Sequence, residues 1–157
     1  PNDKLFLMQQ VYATLFSLAN KLQVKGDEYL EGLTSRQMMT MIAIIHLPED
    51  GASLNNIARK LGTSKQNVKQ LVANMENKGF LAMMPSEYDG RSYNITITES
   101  GKQALLENGE RGNRLFDDVF RDFTLEELHT LWSLLKKLYR FDGEEQDGFE
   151  EAVEFKG

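Results

Sequence analysis

Six of the seven residues from Ser64 to Gln70 carry hydrogen-bonding side chains: Ser64, Lys65, Gln66, Asn67, Lys69 and Gln70 surround a single apolar Val68. A carboxamide presents a donor and an acceptor side by side, which suits the edge of an adenine; a lysine reaches phosphate or guanine. No carboxylate follows before Glu76, so nothing in the stretch repels a polyanion. A second group is Asp89-Gly90-Arg91, an Asp-Gly turn signal followed by a cation. An arginine on a tight turn can enter a narrow groove of a duplex, where the negative potential draws it in. Either group alone could be an ordinary solvated surface. Their order along the chain, and the elements between them, decide their meaning.

Other chemistries are poorly provided for. The 157-residue chain has no cysteine and two histidines. That excludes disulfides, thiolate metal sites, cysteine nucleophiles and thiol redox sensing. There is no phosphate loop, paired-histidine motif or nucleophile elbow. His46 closes an apolar helix and His129 lies in a leucine-rich one, so both are read as packing or capping residues. Glu126-Glu127 reads as a helix start and Glu144-Glu145 as part of a tail. The chain is therefore read as a non-enzyme, with no cofactor and no metal.

Helix signals bracket the polar stretch. Leu5, Met8, Tyr12, Leu15, Ala19 and Leu22 step alternately by three and four, a narrow seam suited to another helix. Thr34 with Gln37 three residues later forms a capping box ahead of an apolar run that Pro48 ends. Ser53 caps a short helix that Gly62 stops. Thr63 or Ser64 caps the next, which closes at Lys78-Gly79. The period then changes to two: Phe80 to Met84 and Tyr93 to Ile97 read as strands around a turn. Thr98 opens a long polar helix reaching about Phe123, with Gly109 and Gly112 as weak points. Thr124, with Glu127, caps a last helix striped by Leu125, Leu128, Leu131, Leu135 and Leu138.

The two short helices have the offsets of a helix-turn-helix. Counted from Ala58, Ile57 lies one before, Leu61 three after, Gly62 four, Val68 ten and Leu71 thirteen after. Ala58 must be small where the second helix crosses, and Gly62 turns the chain. Val68 and Leu71 bury the inner face, leaving the polar face free. The hairpin that follows is a wing. Charge agrees locally: Ser53 to Tyr93 holds six basic against three acidic side chains, although the chain as a whole carries −6. That excess sits in the last sixteen residues, which hold seven acids and one lysine.

From Leu33 to Leu105 the sequence resembles the MarR family of winged helix-turn-helix regulators. The resemblance rests on Leu33-Thr34-x-x-Gln37, Ile57-Ala58-x-x-Leu61-Gly62, Glu76-x-x-Gly79-Phe80-Leu81, Asp89-x-Arg91 and Ile97-Thr98-Glu99-x-Gly101. With the outer helices it extends over roughly residues 5–141. Two positions depart from the family pattern. Gly90 stands where the wing usually has a first arginine, and Met83 where a basic residue is frequent. Both reduce the expected phosphate and minor-groove contacts.

The expected fold is mainly α with a small β-hairpin wing. Residues 1–32 form an N-terminal dimerisation helix, 33–98 the winged domain, 99–141 C-terminal dimerisation helices and 142–157 an acidic, solvating tail. The resemblance implies a homodimer on a pseudo-palindromic double-stranded DNA operator, a repressor released by a small apolar or aromatic effector. The expected DNA-binding residues are Ser64, Lys65, Gln66, Asn67, Lys69, Gln70, Asp89 and Arg91. The family's ligand region makes Tyr12, Phe16, Met38 and Met41 candidates to line an effector site. The longest apolar run, Met41 to Ile45, is far short of the ~20 residues of a membrane span, and the first residues lack signal-peptide character, so a cytoplasmic protein is expected. The competing reading is a winged-helix protein-interaction module without DNA binding.

Overall fold

A computed structural model describes residues 3–87, 90–144 and Phe149. Seven helices and one hairpin follow in the order α1 (Asp3–Tyr29), α2 (Ser35–Ile45), α3 (Leu54–Leu61), α4 (Lys65–Asn77), β1 (Leu81–Pro85), β2 (Tyr93–Ile97), α5 (Glu99–Glu107), α6 (Gly109–Val119) and α7 (Leu125–Tyr139). Side-chain caps set most of the helix starts. Thr34 accepts from the Gln37 amide at 3.1 Å while the Gln37 side chain accepts from the Thr34 amide. Ser53, Ser64 and Thr98 cap α3, α4 and α5 in the same way, and Thr124 with Glu127 forms a second capping box. Each such cap satisfies donors that the helix itself leaves open, and contributes about 1 kcal/mol.

The winged core lies between α2, α3, α4 and the hairpin. Met41, Ile57, Val68, Val72, Met75, Leu81 and Ile95 are its largest enclosed apolar side chains. Gly62 ends α3 with φ +69°, and Gly79 follows α4 with φ +82°; both lie in the left-handed region where a side chain is strained. β1 and β2 pair antiparallel from Leu81 opposite Ile97 to Pro85 opposite Tyr93. The strand expected over Phe80 to Met84 thus starts and ends one residue later. Phe80 is held instead by its amide donating to the Met75 carbonyl at 2.9 Å, part of the α4 stop.

The long helix expected from Thr98 to about Phe123 is two helices. Asn108 separates α5 from α6, and its side chain makes no cap hydrogen bond to the start of α6. It is 2% exposed and reaches the chain that leaves α1. The Glu31 amide donates to Asn108 Oδ1 at 2.9 Å. Asn108 Nδ2 donates to the carbonyls of Glu31 at 3.0 Å and Ala104 at 2.9 Å. Gly109, which follows, was one of the weak points visible in sequence.

The outer helices are different in kind. Gly26 is the only buried residue of α1, and none of α7 is buried. Leu5, Phe6, Met8, Val11, Tyr12 and Phe16 on α1, and Leu125, Trp132, Leu134 and Leu138 on α7, are exposed. Among the described residues no helix is long and apolar enough to cross a membrane. Of the acidic tail beyond Glu144 only Phe149 lies within the described residues, its ring edge-to-face with His46 at 5.4 Å and beneath Lys60 at 5.3 Å.

Replacing Asn108 by alanine removes the buried side chain that serves the Glu31 amide and carbonyl together. We expect a loss of about 2–3 kcal/mol of stability, read as a lowered midpoint in urea denaturation at unchanged slope.

Candidate nucleic-acid interface

The crossing of α3 and α4 sorts the side chains of the polar stretch. Ala58 is small enough for the second helix to approach, and the Thr63 amide donates to the Ala58 carbonyl at 3.0 Å across the Gly62 turn. Val68, Val72 and Met75 face inward and are enclosed, with Leu71 half-buried. The opposite face of α4 is exposed at Ser64, Lys65, Gln66, Asn67, Lys69 and Gln70. Ser64 acts as the cap, accepting from the Asn67 amide at 3.2 Å, and Asn67 Nδ2 donates to Thr63 Oγ1 at 3.1 Å. The first amides of α4 and the positive end of its dipole therefore stand at the same surface as Lys65, a setting that favours an anion.

A small concavity of about 170 Å³ joins this helix to the wing. It is lined by Ser53, Leu54 and Asn55 at the start of α3, Lys65 at the start of α4, and Met83, Arg91, Ser92 and Tyr93 of the hairpin. Lys65 and Arg91, separated in sequence, meet on one groove. Asp89, expected among the contacts, lies outside the described residues. Sequence reasoning did not single out Ser53, Asn55 or Tyr93. The cap signal at Ser53 marked a helix start, and only the packing of that start beside Lys65 places it on the interface.

A larger cleft of about 710 Å³ lies between α1, the end of α7 and the α3–α4 turn. It is lined by Tyr12, Leu15 and Phe16 of α1 and by Leu138, Tyr139 and Phe141, with Arg59, Gly62, Asp142 and Glu144 completing the lining. Tyr12 and Phe16, two of the four residues expected at an effector site, both line this cleft. Met38 and Met41 do not. Met41 is enclosed in the winged core and has no surface to offer a ligand. Met38 is half-buried and points toward α6 at Gly112. Tyr139 connects the cleft with the helix-turn-helix, its hydroxyl donating to the Lys60 carbonyl at 3.1 Å. Burial, helped by the nearby Asp142 charge, raises its pKa above the usual tyrosine value. Among the described residues no group of three or more acidic or histidine side chains gathers as a metal site.

Residues 31–92 match the model of the MarR family. Over 140 residues the chain is 33% identical to the transcriptional activatory protein BadR of Rhodopseudomonas palustris, covering 86% of this chain and 80% of that protein. The chain belongs to the MarR family of winged-helix, DNA-binding transcriptional regulators. Solved structures share this fold. The MepR–DNA complex of S. aureus is 25% identical with a TM-score of 0.70, covering 81% of this chain and 95% of that one. The MarR/EmrR family regulator from Acinetobacter sp. ADP1 is 24% identical with a TM-score of 0.74, covering 87% and 97%. The winged domain expected from the helix-turn-helix offsets is therefore the MarR fold, and α1 and α7 are part of the same resemblance.

The raised pKa of Tyr139 gives a direct check. In ultraviolet titration, the difference between the wild type and Tyr139→Phe should show a phenol ionising above pH 10.0, the ordinary tyrosine value.

Proposed function

We propose that the protein is a homodimer that binds a pseudo-palindromic DNA operator and leaves it when a small apolar or aromatic molecule fills the cleft between α1, α7 and the α3–α4 turn. The observation that carries the DNA part is the two-faced α4. Its inner side chains are enclosed, and its outer face presents amides and lysines, of which Lys65 shares a groove with Arg91. In this reading Gln66, Asn67 and Gln70 meet base edges, Lys65 and Lys69 meet the backbone, and Arg91 makes the flanking contact. Asp89 is assigned as a contact residue on its sequence position alone, and Ser64 orients the helix start.

The dimer reading is supported by the apolar faces of α1 and α7. A face of leucines, phenylalanines and a tryptophan left in water costs more than a domain of this size needs to tolerate. A second copy of the chain covers it and sets two recognition helices about 10 bp apart, in successive major grooves. The effector reading is supported by the aromatic lining of the cleft and by Tyr139, which ties α7 to the end of α3. A molecule that wedges α7 outward changes the spacing of the two α4 helices, and so shifts the population of DNA-competent dimers. Whether release raises or lowers transcription depends on where the operator lies relative to the promoter. We assign repression, with blocked polymerase access as the simplest consequence of occupancy.

Titration of operator DNA at several salt concentrations tests this reading. Arg91→Ala should weaken binding and lower the salt slope by roughly 1.8, one phosphate per protomer. Gln70→Ala should instead narrow the gap between operator and random DNA by about 1–3 kcal/mol per base pair no longer read. Operator affinity unchanged in Arg91→Ala and in the Lys65/Lys69 double alanine variant would turn the assignment toward a protein-interaction module.

Sedimentation at micromolar concentration should give a dimer, with an interface of ~2,000 Å² or more. Substituting Phe16→Glu in the cleft should abolish the response to apolar effectors. A monomeric wild type would remove the dimer.

A further inference from the structure

The turn between α2 and α3 holds the wing from both strands. Asp50 sits in this turn with φ +57°, the one non-glycine residue in the left-handed region among those described. The Gly51 amide donates back to the Pro48 carbonyl at 2.8 Å, closing the turn and directing the Asp50 side chain toward the hairpin. Ser86 Oγ donates to Asp50 Oδ2 at 3.0 Å, and the Glu87 amide points to Oδ1 at 3.4 Å. Two residues on, the Ala52 amide donates to Asn94 Oδ1 at 2.9 Å, and the Ile95 amide donates to the Ala52 carbonyl at 2.9 Å. Ala52 therefore anchors β2, while Asp50 anchors the chain as it leaves β1. The Ser86 amide, donating to the Ser92 carbonyl at 3.0 Å, joins the two sides of the wing base. Arg91 lies next to that rung.

A carboxylate at this edge is costly for a protein that approaches phosphates, since its charge opposes theirs. A left-handed non-glycine backbone is a second cost. Both are intelligible if the carboxylate has a mechanical task. We infer that Asp50 is a positioning residue for the wing: it latches the wing base through Ser86 and Glu87 and thereby fixes where Arg91 meets the duplex. The inference rests on the reading above, in which the wing contacts DNA. Asp50 itself touches no base or phosphate in this scheme.

The backbone conformation supplies a clean set of variants. Asp50→Gly keeps the left-handed turn at no steric cost and removes the carboxylate, with Ser86→Ala as the control for the backbone freedom that glycine adds. Asp50→Asn keeps an acceptor oxygen and tolerates the same φ. Ser86→Ala removes the donor from the other side. The first measurement needs no DNA: the rate of tryptic cleavage after Arg91 in the intact protein. Asp50→Gly and Ser86→Ala should be cut about threefold faster or more through local opening, at a thermal midpoint within about 2 °C of wild type, with Asp50→Asn close to wild type. Equal cleavage rates in all four proteins would overturn the latch.

The second measurement is an anisotropy titration on a duplex selected by the wild-type protein from a random pool. Removing a negative charge should by itself tighten binding. The latch demands the opposite: Asp50→Gly weaker by about fivefold, a salt slope lowered in the same direction as for Arg91→Ala, and no further loss when combined with Arg91→Ala. Asp50→Asn should retain most of the affinity. Tighter or unchanged binding by Asp50→Gly would overturn the positioning role. A wild type that selects no duplex would overturn the DNA reading instead, while the proteolysis still decides whether the latch exists.

Discussion

Everything this protein presents to a duplex depends on how closely α3 and α4 cross. Ala58 has a single methyl group to place at the crossing, and Gly62 turns the chain with a left-handed backbone that closes the distance in one residue. Val68 then falls into the core with no exposed surface, and the helical period carries Val72 and Met75 after it. Three inward positions on a thirteen-residue helix fix its rotation. A larger side chain at residue 58 would push α4 off the core and turn its amide face away from the groove. The outer face has no such constraint, so its residues are chosen by what they must touch.

The wing is a small sheet that cannot stand alone. Two five-residue strands bury little, and an isolated hairpin is marginal in water. Its stability comes from Leu81 and Ile95, which reach into the core, and from the turn over residues 50–52, which acts as a third edge. This arrangement explains how a wing with one arginine on its turn can still present that arginine at a defined place. Position is supplied by the anchor, and charge by Arg91 with Lys65 across the groove.

The outer helices follow a different rule. Their apolar residues are too many and too exposed to belong to the core of one chain. What holds α1 to the rest is polar and concentrated near its C-terminal end. Gly26 permits contact with Ser35, whose hydroxyl donates to the Gln23 carbonyl at 3.1 Å, and Tyr29 donates to Asp118. Arg111 pairs with Glu31 at 2.6 Å, and Asn108 binds the Glu31 backbone twice. These directional bonds tie α1 to the start of α2 and to the α5–α6 segment. Directional bonds favour one angle, or a few, as the proposed dimer requires of the part that sets the distance between its two reading heads.

The sequence by itself determined the local elements. Caps at Thr34, Ser53, Ser64, Thr98 and Thr124, stops at Gly62 and Gly79, and the alternation of Tyr93, Ile95 and Ile97 all act within a few residues, so each leaves a readable trace. The helix-turn-helix offsets and the polar face of α4 were legible for the same reason: one helical period links them. Tertiary structure decided what depends on residues far apart in the chain. The break at Asn108 comes from its bonds to a residue 77 positions away, and the wing anchor joins Asp50 to Ser86, 36 positions on. Met41 and Tyr12 looked alike as apolar candidates for a ligand site, yet one is enclosed in the core and the other lines the cleft. A periodic pattern records which side of a helix is apolar. It does not record which neighbour that side will meet, because that choice is made only when distant elements compete to bury the same surface.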